Sequence, residues 1–301
     1  MPNTMIQDEI RALAREKNAV ILAHYYQHPD IQDVADFIGD SLALAQKAQQ
    51  TDADILVMCG VHFMAETAKI LCPSKKVLLP DAQAGCSLAD SCQAAQLKAW
   101  KEAHPDHLIV SYVNTSAAVK ALTDIVVTSG NALKIINRLP ENQPILFGPD
   151  RNLGRYINEQ TGRQMDLWDG CCHVHDRYTV EALQALKQAY PEALVLTHPE
   201  CRKEIVDLSD VVGSTAALIA YVKAHPQGQY IVRTADGVAH EIRKSCPQAI
   251  LLGEDNACEY MRMDTLEKLR DCLLHESPEV TVDKDIAAKA IKPIEKMLEW
   301  S

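Results

Sequence analysis

The stretch ILAHYYQHPDIQDVADFIGDSLALAQKA, residues 21–48, decides the fold, because the chain says it three times. The second copy is IVSYVNTSAAVKALTDIVVTSGNALKII, 109–136, and the third is VLTHPECRKEIVDLSDVVGSTAALIAYV, 195–222. Each opens on an apolar run ending at His24, Tyr112 or His198. Two residues on stand Tyr26, Asn114 and Glu200, and seventeen on stand Ser41, Ser129 and Thr215. Thirty-six on stand Gly60, Gly148 and Thr234, each closing another apolar run. An amphipathic helical pattern precedes each copy: DEIRALAREK, AAQLKAWKEA and VEALQALKQA. Self-similarity at a fixed period is the mark of a repeated structural module.

Further short apolar runs alternate with helical patterns: residues 19–24, 54–60, 76–81, 108–113, 144–150, 193–198, 230–236 and 249–255. Continuous apolar strands separated by helices mean parallel sheets covered on both faces. The expected fold is α/β, with three α/β/α modules related by a pseudo-threefold axis around a central active site. Each module carries a roughly four-stranded parallel sheet. The modules are expected at 1–86, 87–172 and 173–262. A helical tail, 263–301, follows, and its last helix, 283–301, is expected to pack back on the first module. The YYQHPD loop, 25–30, is a candidate lid.

Composition narrows the function. The chain has 301 residues, 47% of them hydrophobic, and a formal net charge of -11. Nothing in that balance attracts nucleic acid or an anionic membrane. No 18-residue apolar run exists, and residues 1–30 hold no apolar signal core, so a cytoplasmic protein is expected. Ten cysteines in such a setting suggest core filler, metal ligands or nucleophiles rather than disulfides.

Cys86, Cys172 and Cys258 are spaced by 86 residues and again by 86, which is the repeat period. Cys171 misses that period by one. Three equivalent loops around one axis bring three thiols to one point. Zinc accepts three cysteines and a fourth ligand. A [4Fe–4S] cluster on three cysteines leaves one iron open. The chain has no Cys-x-x-Cys spacing, and the threefold symmetry matches a cluster corner, so the cluster is the preferred reading. The other seven cysteines read as buried small hydrophobes.

The same symmetry gathers the +0, +2 and +17 positions into one cavity. TSGNA, 128–132, looks like a phosphate cradle without a complete phosphate motif. Ser41, Ser129 and Thr215 are expected as helix caps, each worth about 1 kcal/mol. Three helix N-termini around one cavity would also attract anions. His175, three residues after Cys172, joins the site candidates. His173, His28, His62 and His240 read as structural or surface histidines.

At these residues the chain resembles the quinolinate synthase family. The resemblance rests on AHYYQHPDIQDVADFIGDSLALA, SYVNTSAAVKA, VTSGNA, THPEC, GST and the three periodic cysteines, and spans about residue 5 to beyond 260. It implies an enzyme of NAD biosynthesis that condenses iminoaspartate with dihydroxyacetone phosphate to quinolinate, losing phosphate and two waters. It implies a [4Fe–4S] cluster on Cys86, Cys172 and Cys258, whose open iron acts as a Lewis acid in dehydration. It implies a substrate site of His24, Tyr26, Ser41, Tyr112, Asn114, Ser129, His175, His198, Glu200 and Thr215. Acid–base roles fall to Glu200 first, then to Tyr26, His198, His175 and His24. An aspartate oxidase or dehydrogenase would supply iminoaspartate. Triplicated three-cysteine enzymes of diphthamide or isoprenoid synthesis, and a cluster sensor without turnover, are the alternatives.

Overall fold

The computed structural model describes residues 2–253 and 256–301. The first sheet holds β1 (Ala19–His24), β2 (Phe37–Gly39), β3 (Ile55–Cys59) and β4 (Lys76–Leu78) in the order β2-β1-β3-β4. The second holds β5 (Leu108–Tyr112), β6 (Ile125–Val127), β7 (Ile145–Gly148) and β8 (Asp166–Leu167) in the order β6-β5-β7-β8. The third holds β9 (Leu194–Thr197), β10 (Val211–Val212), β11 (Gln229–Arg233) and β12 (Ile250–Leu252) in the order β10-β9-β11-β12. These pairings are all parallel. The sequence pattern carries the last strand on through Glu254 and Asp255, which lie outside the described residues.

The repeat holds at the level of register. His24 pairs with Gly39, Tyr112 with Val127, and Thr197 with Val212, the same offset each time. A carboxylate fixes that offset. The backbone N–H groups of Ile21, Ile109 and Val195 donate to Asp36, Asp124 and Asp210 at 2.7, 2.8 and 2.8 Å. The N–H of each aspartate donates back to the carbonyl of the same strand residue. An aspartate thus stands at +12 in every copy and starts each edge strand.

Both faces of each sheet are covered. Along β1, Val20 and Leu22 join one apolar cluster and Ile21 and Ala23 another. Along β11, Tyr230 and Val232 part from Ile231 in the same way. Strand side chains alternate between faces, so a continuous apolar strand needs helices on both sides.

The tail helices pack on the first and second modules. Helix Leu266–His275 packs on helix Pro2–Glu16 of the first module, through Leu266, Leu269 and Leu273 against Ile10 and Ala14. The final helix, Lys284–Trp300, does not serve the first module alone. It lies against helix His62–Leu71 there, and against β6 and helix Ala117–Lys120 of the second. Its stripe of Ala290, Ile294 and Met297 is buried with Ile125, Val126 and Val127. The second module needs this cover for its edge strand, and Asn131 Nδ2 donates to Ser301 Oγ at 2.8 Å. Of the non-periodic cysteines, Cys59, Cys72, Cys92, Cys201, Cys246 and Cys272 are buried and Cys171 is half-buried.

Candidate functional site

One cavity opens where the three modules meet. His24, Tyr26 and Ser41 face it from the first module, and Tyr112, Asn114 and Ser129 from the second. His198, Glu200 and Thr215 face it from the third, and Cys86, Cys172, Cys258 and His175 line it too. Every candidate residue therefore lines a single space. These positions follow the C-terminal ends of parallel strands, where α/β folds place their chemistry. No lysine or arginine lines the cavity among the described residues. An anion entering it meets hydroxyls, amides and backbone N–H groups.

The capping assignment is corrected by one residue. Asp40 caps helix Ser41–Gln50 by accepting from Ala43 N, and Ser214 caps helix Thr215–Ala224 by accepting from Ala217 N. Ser41 and Thr215 are each the first helical residue. In the second module a turn follows β6, and the short helix Ala132–Ile136 starts only after Asn131. Asn131 Oδ1 accepts from Thr128 N at 2.6 Å, which leaves Ser129 at the tip of the turn. The three hydroxyls are thus released from capping. Thr215 and Ser129 point theirs at site residues.

A hydrogen-bonded chain links four of the lining residues through Thr234. Thr215 Oγ1 lies 2.8 Å from Tyr26 Oη, which lies 2.7 Å from Thr234 Oγ1. Thr234 Oγ1 lies 3.0 Å from His175 Nε2, and His175 Nδ1 lies 2.8 Å from Glu200 Oε2. Burial alone would raise the Glu200 carboxyl, but His175 and His198 beside it outweigh burial and lower it. Burial also lowers His175, although Glu200 opposes the shift. An ionised Glu200 accepts from His175 Nδ1–H, so His175 Nε2 accepts from Thr234, Thr234 accepts from Tyr26, and Tyr26 accepts from Thr215. The chain has one direction.

His198 stacks on His175 with ring centroids 4.6 Å apart, and its Nε2 lies 3.1 Å from Ser129 Oγ. Its Nδ1 lies 3.3 Å from Glu200 Oε2. His24 occupies the matching place in the first module, where Tyr26 N–H donates to its Nδ1 at 3.1 Å. Burial, and then His198, push His24 down to about 3, so it is neutral with its proton on Nε2. Glu200 Oε1 is buried and has no protein partner, and neither has Thr128 Oγ1 on the same cavity. Buried polar atoms are rarely left unpaired, so these two point to a ligand.

The cysteines sit on equivalent turns. The carbonyls of Cys86, Cys172 and Cys258 each accept from the N–H four residues on, at 2.9, 2.9 and 3.0 Å. All three thiols are free. Burial pushes Cys86 up to about 12 and raises Cys172 and Cys258 as well. Such thiols ionise when a cation compensates their charge. Three thiols on one cavity are a donor set that fits an iron–sulfur cluster. Cys172, His175 and Glu200 also form a compact group, with one ligand atom of each within 4.8 Å of the others, that could hold a metal ion.

The family model described as "Quinolinate synthetase A protein" matches residues 8–299. The chain belongs to the quinolinate synthase family. A quinolinate synthase of Nostoc sp. is 52% identical over 299 residues, covering 97% of this chain and 92% of the relative. That of Synechocystis sp. is also 52% identical, over 97% of this chain and 94% of the relative. That of Chloroherpeton thalassium is 49% identical over 98% and 94%. A solved UDP-GlcNAc 2-epimerase from Neisseria meningitidis gives a TM-score of 0.19 at 11% identity, covering 89% of this chain and 72% of the other, too weak a likeness to inform the fold. The quinolinate synthase family are enzymes of NAD biosynthesis, and no described helix here is long and apolar enough to cross a membrane.

Within this quinolinate synthase fold, sequence reading passed over three features of the site. Thr234 bridges Tyr26 and His175, and its +36 position was visible in the repeat. At that position an added Cβ on Gly60 would lie 3.0 Å from Met64 Sδ, and one on Gly148 2.8 Å from Trp168 Cβ. The third module has room for a side chain there and uses it. Asp150 is fully buried and accepts from Leu153 N at 2.8 Å and from Cys172 N at 2.9 Å, so it holds a cysteine turn in place. Ser87, His173 and Glu259 each follow a periodic cysteine, and the 86-residue spacing contained them too. The candidate lid is pinned. Gln27 is fully buried and donates to Asp264 at 2.8 Å, and His28 caps helix Pro29–Val34.

Proposed function

We propose that this chain condenses iminoaspartate with dihydroxyacetone phosphate to quinolinate, releasing phosphate and two waters. The observation that carries the reading is the convergence on one cavity of three free thiols, a buried Glu200 flanked by two histidines, and hydroxyls in place of cations. The atoms balance without an oxidant or reductant. Cys86, Cys172 and Cys258 would hold a [4Fe–4S] cluster. That cluster supplies Lewis-acid chemistry for loss of a hydroxyl group. The modules are read as 1–86, 87–172 and 173–262, with a tail at 263–301.

Ser41, Tyr112, Asn114, Ser129 and Thr215 bind the carboxylates and phosphate. Helix Ser41–Gln50 and helix Thr215–Ala224 add the favourable ends of their dipoles, about 0.3–1 kcal/mol each, and more when partly buried. Holding two small substrates side by side supplies much of the rate. Glu200 Oε1 is the carboxylate oxygen free to take a proton from carbon beside the triose carbonyl and return it to the neighbouring carbon. His175 and Tyr26 keep that carboxylate aligned through Thr234. His24, with its proton on Nε2, donates to a substrate oxygen, and His198 shares proton movement with Glu200. A cytoplasmic setting keeps the thiols reduced. An aspartate oxidase or dehydrogenase would supply the unstable iminoaspartate.

The test is an anaerobic assay with iminoaspartate made in place from aspartate, plus dihydroxyacetone phosphate, with quinolinate read out. Glu200→Gln should keep iron–sulfur absorbance and lose about 10²–10⁴-fold in turnover. Cys86→Ser and Cys258→Ser should lose both. Quinolinate formation by those two variants at the wild-type rate would sink the reading.

The single metal ion has its own observation, the Cys172–His175–Glu200 group. Metal analysis separates the two. One zinc per chain with no sulfide favours the single ion.

A further inference from the structure

Beyond the ligands themselves, a second set of residues repeats with the cysteines. Ser87, His173 and Glu259 stand one position after Cys86, Cys172 and Cys258. They come from the three different cysteine loops and make one continuous chain. Ser87 Oγ lies 2.7 Å from His173 Nδ1, and His173 Nε2 lies 2.8 Å from Glu259 Oε2.

The roles within the chain follow from chemistry. A carboxylate only accepts, so His173 donates from Nε2–H to Glu259. Its Nδ1 then accepts from the Ser87 hydroxyl. Both ring nitrogens are engaged. Arg177 donates to Glu259 Oε1 at 2.8 Å and, through Nε, to the His173 carbonyl at 3.2 Å. Tyr260 sets the edge of its ring against His173, with centroids 5.7 Å apart.

The neighbouring ties are partial. Asn256 Nδ2 donates to Val174 O at 2.7 Å and links the second and third loops. Trp168 Nε1 donates to Ser91 O at 3.0 Å, further from the first and second cysteines. The Ser87–His173–Glu259 chain touches all three loops, one residue from each thiol.

We propose that Ser87, His173 and Glu259 form a clasp that fixes the spacing of the three cysteine turns for their metal cluster. The proposal rests on the cluster reading given above. These are positioning residues, since they act through the cysteines beside them. The physical reason is geometric. Three modules dock as separate bodies, and a cluster tolerates little change in ligand spacing. A short chain of hydrogen bonds at the ligand loops removes the last relative freedom. Partners just outside a metal's ligands typically alter its affinity by about 10–100-fold.

The test compares wild type with His173→Leu, Ser87→Ala and His173→Gln. Glutamine keeps an acceptor for Ser87 and a donor for Glu259. Each protein is reconstituted anaerobically with iron and sulfide. Loss of iron–sulfur absorbance is then followed after adding a chelator, and the thermal midpoint of the cluster-free protein is measured beside it. His173→Leu and Ser87→Ala should bleach on the order of tenfold faster, and His173→Gln close to wild type. The cluster-free midpoints should stay together, because His173 and Glu259 side chains are 37% and 60% exposed. Equal bleaching in wild type, His173→Leu and Ser87→Ala overturns the clasp alone. A fall in the cluster-free midpoint that tracks the bleaching rate across the set also overturns it. If His173→Leu fails to fold, Ser87→Ala decides. A wild type that takes up no iron–sulfur absorbance sinks the cluster reading, and the clasp with it.

Discussion

Gln32 and Lys120 occupy the same place in two different modules and clamp the same two carbonyls. Gln32 Nε2 donates to Tyr25 O at 3.1 Å and to Gln27 O at 2.9 Å. Lys120 Nζ donates to Val113 O at 2.8 Å and to Thr115 O. Between each pair of carbonyls stands the site residue of that module, Tyr26 or Asn114. Gln32→Leu leaves three carbonyls, the third being that of Gly237, without their donor, and Lys120→Met leaves two. Where such groups stay buried, the cost is about 1–3 kcal/mol each. Turnover should fall with stability, because the loops presenting Tyr26 and Asn114 loosen. Urea unfolding and steady-state kinetics on both variants check this, and wild-type values in both would refute it.

Lys120 also sets a pH dependence. Burial pulls it from 10.5 to about 7, against the opposing pull of Glu66. Its folded value is lower than its unfolded value, so the unfolded chain binds more protons between them. Stability from this group therefore rises as pH climbs from about 7 toward 10, and is flat below 7. Lys120→Met should lack that rise. Urea midpoints for both proteins across this range test it, and parallel curves would show that Lys120 stays charged in the fold.

Thr234 joins two modules through one oxygen. Thr234→Val keeps the shape, strands His175 Nε2 and takes from Tyr26 Oη one of its two partners, leaving Thr215. With about 1–3 kcal/mol at stake for each buried group, kcat should drop on the order of tenfold. KM should move little, since Thr234 does not line the cavity. Thr234→Ser should restore kcat. A kinetic assay with all three proteins decides, and an unchanged kcat in the valine variant removes Thr234 from the chain.

Gly237 lets the third module approach the first. A Cβ there would lie 2.6 Å from both Tyr25 O and Tyr26 C and 2.7 Å from Gln27 O, all backbone atoms. Gln32 Nε2 donates to the Gly237 carbonyl at 2.8 Å across the same seam. Gly237→Ala must push that seam apart, at about 1–3 kcal/mol. Tyr26 should shift with it, so turnover falls along with the thermal midpoint. Crystals of the variant with an unmoved Tyr26 and full activity would contradict this.

Much of the molecule was legible in the amino-acid order because a repeat exposes equivalence. The 86-residue spacing picked Cys172 over its neighbour Cys171, and the +0, +2 and +17 positions named a set that lines one cavity. Apolar strands and intervening helices are local patterns, so the parallel sheets followed from them. The capping error was local too. Asp40 and Ser214 are as good caps as the residues after them, and only the helix start separates the two readings.

The sequence by itself determined the repeated module, its parallel strands and the positions that line the cavity. Only the tertiary structure decided which residues meet across modules: Thr234 with Tyr26, Gln32 with Gly237, Ser87 with His173, and the last helix with the second module. The reason is physical. Contacts within a module recur three times and leave a period in the chain. Contacts between modules depend on how three packed bodies dock, and each forms once, between residues far apart in sequence that no local pattern pairs.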